Sequence, residues 1–271
     1  MNTNRRLRSS ALATLALTAG LLGSACSSNG GGPEAIERPR STTSQSVTTA
    51  DVSNNSGDDT STTATTAPVM AEEAYVIRSD HDLVVHEQPD AGSPSRTMSA
   101  TNEFGSALAL LVTDQSEGWV QVLVPGRPTG TKAWLSADQN PQFEFRSVTT
   151  RIEVDLAART LTLVDRGQVV LSTPVAIGSS EYPTPTGLFS VTDKLQDPNP
   201  NGAYGPFALG LSGRSEVLTD FAGGDGQIGI HGTNDPSSIG QAVSHGCVRV
   251  PNEVITQLND LLPLGTPVVV R

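Results

Sequence analysis

From residue 72 onward, apolar residues recur at every second position in short runs broken by Gly, Pro, Asp and Asn. Period two puts one face of a segment inside and the other in water, which specifies strands. In "AYVIRS", "DLVVHEQPD", "SALALLVTDQSEGWVQVLVPG" and "TKAWLSAD" the pattern marks a first unit over residues 72–140, expected to be a small β barrel or sandwich. A second unit covers residues 148–271. There Ile152, Val154 and Leu156 alternate, Leu161 and Leu163 continue the pattern, and Asp165-Arg166-Gly167 turns into "QVVLSTPVAIG", a hairpin signature. "GLFSV", "FALGL", "IGIHG" and "TPVVVR" supply further strands. Only one segment has helical spacing: Asn252 caps it, Val254, Ile255, Leu258, Leu261 and Leu262 form its apolar face, and Pro263 and Gly265 end it. The fold class is therefore mainly β, with one clear helix near the C-terminus.

The preceding residues cannot follow the same rule. Residues 27–71 are dominated by Ser, Thr, Gly and Asn, without an aromatic residue. Such a segment buries too little apolar area to offset its ordering entropy, so it reads as a disordered tether with an r.m.s. span of about 35–40 Å. Before it, residues 1–25 place Arg5, Arg6 and Arg8 ahead of an apolar run from Ala11 to Leu22 and then small residues, the order of a cleaved signal peptide. Ser24-Ala25-Cys26 resembles a bacterial lipobox, although Gly23 stands where that pattern has leucine. The resemblance implies acylation of Cys26, and hence a head outside the cytoplasm, anchored by lipid to the cell membrane and facing the cell wall. Cleavage before Cys26 removes three arginines and takes the formal charge from −11 to −14. So acidic a chain lacks the basic patch that nucleic-acid binding needs.

With Cys26 acylated, Cys247 is the one thiol left, and it lies in "IGIHGTNDPSSIGQAVSHGCVRVPN" with two of the four histidines, His231 and His245. A cysteine nucleophile needs a base, a group that orients the base, and N–H donors aimed at the developing oxyanion. This segment holds candidates for all three. His231 follows the short strand "IGI", and Gly246 lets backbone amides approach a substrate carbonyl. A metal site is the competing reading, but "HGT…SHGC" has neither a paired-cysteine motif nor a convincing fourth ligand. A packed core cysteine is the blander one, and the glycines at 229, 232, 240 and 246 argue against it. His81 and His86 stand apart from any cysteine or third histidine and are expected at the surface.

"IHGT" followed by "SHGCVRV" is similar to the signature of the YkuD-type L,D-transpeptidases. The likeness extends through "RIEVDLAARTLTLVDRGQVVLSTPVAIG", "YPTPTGLFSV" and "NGAYGPFALGLSG". It implies a β-rich L,D-transpeptidase catalytic domain over 148–271, with Cys247 as nucleophile and His231 as base. The Gly232 carbonyl would orient the His231 ring, and the amides around His245, Gly246 and Cys247 would form the oxyanion hole. Arg249, Tyr204 and Phe207 would meet substrate. The implied reaction is 3→3 crosslinking of peptidoglycan stem peptides through a thioester, with no cofactor and no metal. The acceptor stays open between the diaminopimelate amine, water, which would make an L,D-carboxypeptidase or endopeptidase, and a protein amine. A catalytically silent wall-binding adaptor is the reading from another class. "LVVHEQPDAG" and the following strands, with Pro89, Trp119 and Trp134, resemble a bacterial SH3-like domain, which implies a small barrel over 72–140 acting as a spacer or wall-binding aid.

Overall fold

The computed structural model describes residues 72–220 and 224–271. The signal peptide, the lipidation of Cys26 and the tether up to residue 71, all expectations from the sequence, lie outside the described residues. All described residues belong to one compact unit, Thr65–Arg271. It is built from two large sheets.

The first sheet contains β1 (Ala74–Arg78), β2 (Leu83–His86), β3 (Ser95–Met98), β4 (Ala109–Ser116), β5 (Trp119–Leu123), β6 (Lys132–Ser136) and β7 (Glu144–Val148), in the order β3-β2-β6-β5-β4-β1-β7. Its interior follows the alternation read from the sequence: Val120 and Val122 turn inward with Ile77, Leu83, Val85, Leu110 and Leu135. β7 lies between the two predicted units and pairs along its length with β1. His81 is exposed beside Asp80, but His86 corrects the expectation of a surface residue. It is only 3% exposed, its Nε2 lies 2.6 Å from Gln139 Oε1, and its ring meets the Trp119 ring edge-on at 5.2 Å. A buried imidazole is tolerated there because its polar atoms are matched.

The second sheet is formed by β8 (Thr150–Asp155), β9 (Thr160–Asp165), β10 (Gln168–Pro174), β12 (Gly187–Gln196), β13 (Phe207–Arg214), β14 (Gln227–His231), β16 (Val248–Arg249) and β17 (Pro267–Val270). The order is β10-β9-β8-β17-β12-β13-β14-β16, and β11 (Ile177–Gly178) pairs separately with β15 (Ala242–Ser244). β9 and β10 are joined by Arg166 and Gly167, both at positive φ, as a two-residue hairpin of matching twist requires. The core gathers Ile152, Val154, Leu161, Leu163, Phe189, Leu209, Leu211 and Ile230 under α1 (Asn252–Leu261), the one α-helix among the described residues, whose Val254, Ile255 and Leu258 are buried. Burying each such aliphatic side chain contributes about 1.5–3 kcal/mol.

The helix departs from the sequence expectation at both ends. Pro251 holds the N-cap position, and Asn252, expected as the cap, is the first helical residue. The Asn252 side chain is engaged elsewhere: its Oδ1 accepts the Thr233 N–H at 2.8 Å. At the far end Leu261, placed on the apolar face by spacing, is exposed, while Leu262 is buried. Leu264 then packs against the cores of both sheets, touching the cluster of Val76, Ala109 and Val148.

Candidate active site

The strand pairing brings the two key residues together. β14 ends at His231, and β16 runs parallel beside it with Ile230 opposite Val248 and His231 opposite Arg249. Cys247 is the residue immediately before β16. Both Cys247 and His231 line one cavity of about 710 Å³, together with Tyr204, Gln227, Gly229 and residues of the connection between β3 and β4.

His231 is held in a defined state. It is 5% exposed, and its Nδ1–H donates to the Gly232 carbonyl at 2.6 Å, so Nε2 is left as the acceptor. The Tyr204 ring lies against it at 4.8 Å between centroids. Burial pushes the imidazole down to about 4, with the Arg249 charge acting in the same direction and the Gly232 bond opposing it. The Cys247 thiol is shifted the other way: burial raises it, against a Gly229 backbone hydrogen bond and the Arg249 charge, which lower it. Its sulfur lies 3.9 Å from the Gln227 carbonyl oxygen. The two shifts have one consequence. At neutral pH the resting pair is a neutral thiol and a neutral imidazole. Desolvation penalises both charges at once.

The loop that presents Cys247 is fixed by two hydroxyls. Ser244 Oγ donates to the Cys247 carbonyl at 2.5 Å and accepts the Gly246 N–H at 3.1 Å. Thr184 Oγ1 donates to the Gly246 carbonyl at 2.8 Å and accepts the Gly178 N–H at 2.8 Å. Gly246 itself sits at φ +115°, where a side chain would be strained. Arg249 exchanges backbone hydrogen bonds of 2.9 Å with Ala176 in both directions. Cys247 therefore stands on backbone anchored on two sides. His231 has a comparable support: a Cβ on Gly232 would lie 2.3 Å from Asn252 Oδ1 and 3.0 Å from the Gly205 Cα, so helix, loop and strand meet there only because both positions are glycine.

Residues 149–270 match the family model described as the YkuD L,D-transpeptidase catalytic domain. This part of the chain resembles a YkuD L,D-transpeptidase catalytic domain. It is 41% identical over 118 residues to YkuD of Bacillus licheniformis, covering 44% of this chain and 63% of that protein. It is 38% identical over 120 residues to YkuD of Bacillus subtilis, covering 44% and 65%. Both relatives are provisionally named L,D-transpeptidases, and the chain spans less than two thirds of the length of either. A crystal structure of a mutant Enterococcus faecium L,D-transpeptidase is similar at 27% identity over 45% of this chain and 49% of that one, with a TM-score of 0.36.

Within residues 149–270 the predicted site residues separate into groups. Cys247, His231 and Tyr204 line the cavity, and the Gly232 carbonyl bonds the His231 ring. Phe207 does not line the cavity: its ring packs against the core, and its carbonyl accepts the Gly232 N–H at 3.3 Å. The Gly246 amide, expected to face an oxyanion, is engaged by Ser244. His245 is exposed, with its ring against Tyr182 at 5.0 Å between centroids. Arg249 reaches the pair through its charge, its buried Nε making no hydrogen bond among the described residues. Sequence reasoning missed Thr184, Ser244, Gln227 and Asn252. The first two lie inside quoted motifs, "YPTPTG" and "SHGC", and their hydroxyls were the available signal. Among the described residues no group of three or more His, Cys, Asp and Glu is placed to hold a metal ion.

Proposed function

We propose that the protein is a peptidoglycan L,D-transpeptidase that forms 3→3 crosslinks through a thioester on Cys247. The observation that carries this reading is the placement of Cys247 and a neutral, tautomer-fixed His231 on adjoining strands of one cavity. His231 Nε2 takes the thiol proton as Sγ attacks the carbonyl of the L,D bond after the third residue of a tetrapeptide stem. The oxyanion is met by the Cys247 amide, since the Gly246 amide is already bonded. Collapse of the tetrahedral adduct breaks the C–N bond, His231 returns its proton to the departing D-alanine amine, and the tripeptide remains as a thioester. The neutral side-chain amine of diaminopimelate on a second stem then attacks that carbonyl. It gives its proton to His231, the thiolate leaves, and the proton returns to sulfur.

Residues 72–140 form an SH3-like domain in this reading, and acylated Cys26 anchors the head to the outer face of the cytoplasmic membrane, where stem peptides are reached without ATP. The tether between them holds the head towards the wall. The test is twofold. Incubation with a carbapenem gives a covalent adduct on Cys247 by intact mass, and no adduct would sink thiol acylation. In cells lacking related enzymes, 3→3 dimers appear in the muropeptides with the wild type and not with Cys247→Ala. A rise in free tripeptides in place of dimers would make water the acceptor.

A further inference from the structure

The first sheet supplies one wall of the catalytic cavity. Glu103 and Phe104, in the connection between β3 and β4, line the same space as Cys247 and His231. Their turn is self-supporting: Asn102 Oδ1 accepts the N–H groups of Phe104 and Ser106, each at 3.0 Å, and the Gly105 N–H donates to the Asn102 carbonyl at 3.0 Å. The same side chain crosses to the second sheet, where Asn102 Nδ2 donates to Asp193 Oδ1 at 2.5 Å. Asp193 is fully buried on β12, and its other oxygen accepts from Thr192 Oγ1 at 2.7 Å and Gln227 Nε2 at 3.0 Å. Gln227 lines the cavity and its carbonyl faces the Cys247 sulfur. One buried carboxylate thus ties the turn to the strand beside the nucleophile. The turn is held in register with the reaction centre.

What it presents is chemically specific. Phe104 is 51% exposed at the cavity, although a phenyl ring normally contributes by burial. Glu103 makes no ion pair among the described residues. The other carboxylates of the lining are Asp197 and Asp225, the latter paired to Arg214 at 2.5 Å, and no lysine or arginine lines the cavity. Such a space favours a cation with an aliphatic stem.

We propose that Glu103 and Phe104 are specificity-determining residues for the acyl acceptor: Glu103 receives the alkylammonium group of the incoming stem peptide and Phe104 covers its carbon chain. The N-terminal sheet thereby takes part in choosing an amine over water. This rests on the transpeptidase reading above. The carboxylate binds the ammonium form, and the amine attacks after losing its proton to solvent.

Direct binding tests this without turnover. A tripeptide stem ending in diaminopimelate, with its side-chain amine free or acetylated, is titrated into the full chain carrying Cys247→Ala. The free-amine peptide should bind about two- to fivefold more tightly, the scale of an exposed ion pair. Glu103→Gln or high salt should abolish that preference, and Phe104→Ala should weaken both peptides. Equal binding of the two peptides, or a preference that survives Glu103→Gln, overturns this inference and leaves the transpeptidase reading standing. Binding of neither peptide overturns both.

Discussion

At the scale of single residues, burial lowers the His231 imidazole to about 4 and raises the Cys247 thiol in the cavity that both line. Cys247 and His231 were legible because few residue types can serve as nucleophile and base, and both lay in a glycine-rich segment. Their protonation was not legible, because desolvation depends on what packs around a group and not on its neighbours in sequence. The structure lowers His231 to about 4 and raises Cys247, so His231 remains an unprotonated base throughout the neutral range. Below about 4 the imidazole is protonated and cannot accept the thiol proton. The rate of Cys247 acylation by a carbapenem should therefore stay nearly flat from pH 8 to pH 5 and fall only as pH approaches 4. Stopped-flow measurement across this range checks it. An acid limb near 6.5, or a tenfold rise per pH unit through the neutral range, would show that a preformed ion pair or thiolate is the reactive species.

At the scale of elements, the strands were readable because one buried face imposes period two, and Val120, Val122, Ile152 and Val154 obey it. The ends of α1 were less readable, since Pro251 and Asn252 both suit a helix start and a distant amide, that of Thr233, decides what the Asn252 side chain does. The loop carrying Cys247 belongs to the same class of problem. Its shape depends on Thr184, from a turn far away in sequence, bridging Gly178 and Gly246. Thr184→Val keeps the volume and leaves both backbone groups unpaired, which costs about 1–3 kcal/mol per buried group. The expected outcome is a lower Tm together with a slower carbapenem acylation of Cys247. If the melting temperature falls and acylation is unchanged, Thr184 holds the fold without positioning the nucleophile.

At the scale of the whole molecule, the two sheets meet through specific polar contacts. Arg127 donates to the carbonyls of Asp225 at 2.6 Å and Ser215 at 2.7 Å, and Thr129 Oγ1 donates to the Arg214 carbonyl at 3.0 Å. These bonds fasten a loop of the first sheet to the segment leading into β14. In the proposed reading a lipid on Cys26 sets where the catalytic cavity acts, so location belongs to the whole chain. Cys26→Ser should release the protein from membranes into the soluble fraction on cell fractionation, and unchanged membrane retention would remove the lipid anchor from the account.

Read alone, the chain's residues marked most of the strands, the position of α1, and Cys247 and His231 as the candidate pair. Those follow from local periodicity and from the chemistry of rare residue types. Packing alone reveals that the pair rests uncharged, that the Ser244 hydroxyl accepts the Gly246 N–H, and that Glu103 and Phe104 stand in the wall beside Cys247. Each of these depends on groups brought together by packing from distant parts of the chain, and neither desolvation nor hydrogen-bond competition leaves a trace in residue spacing.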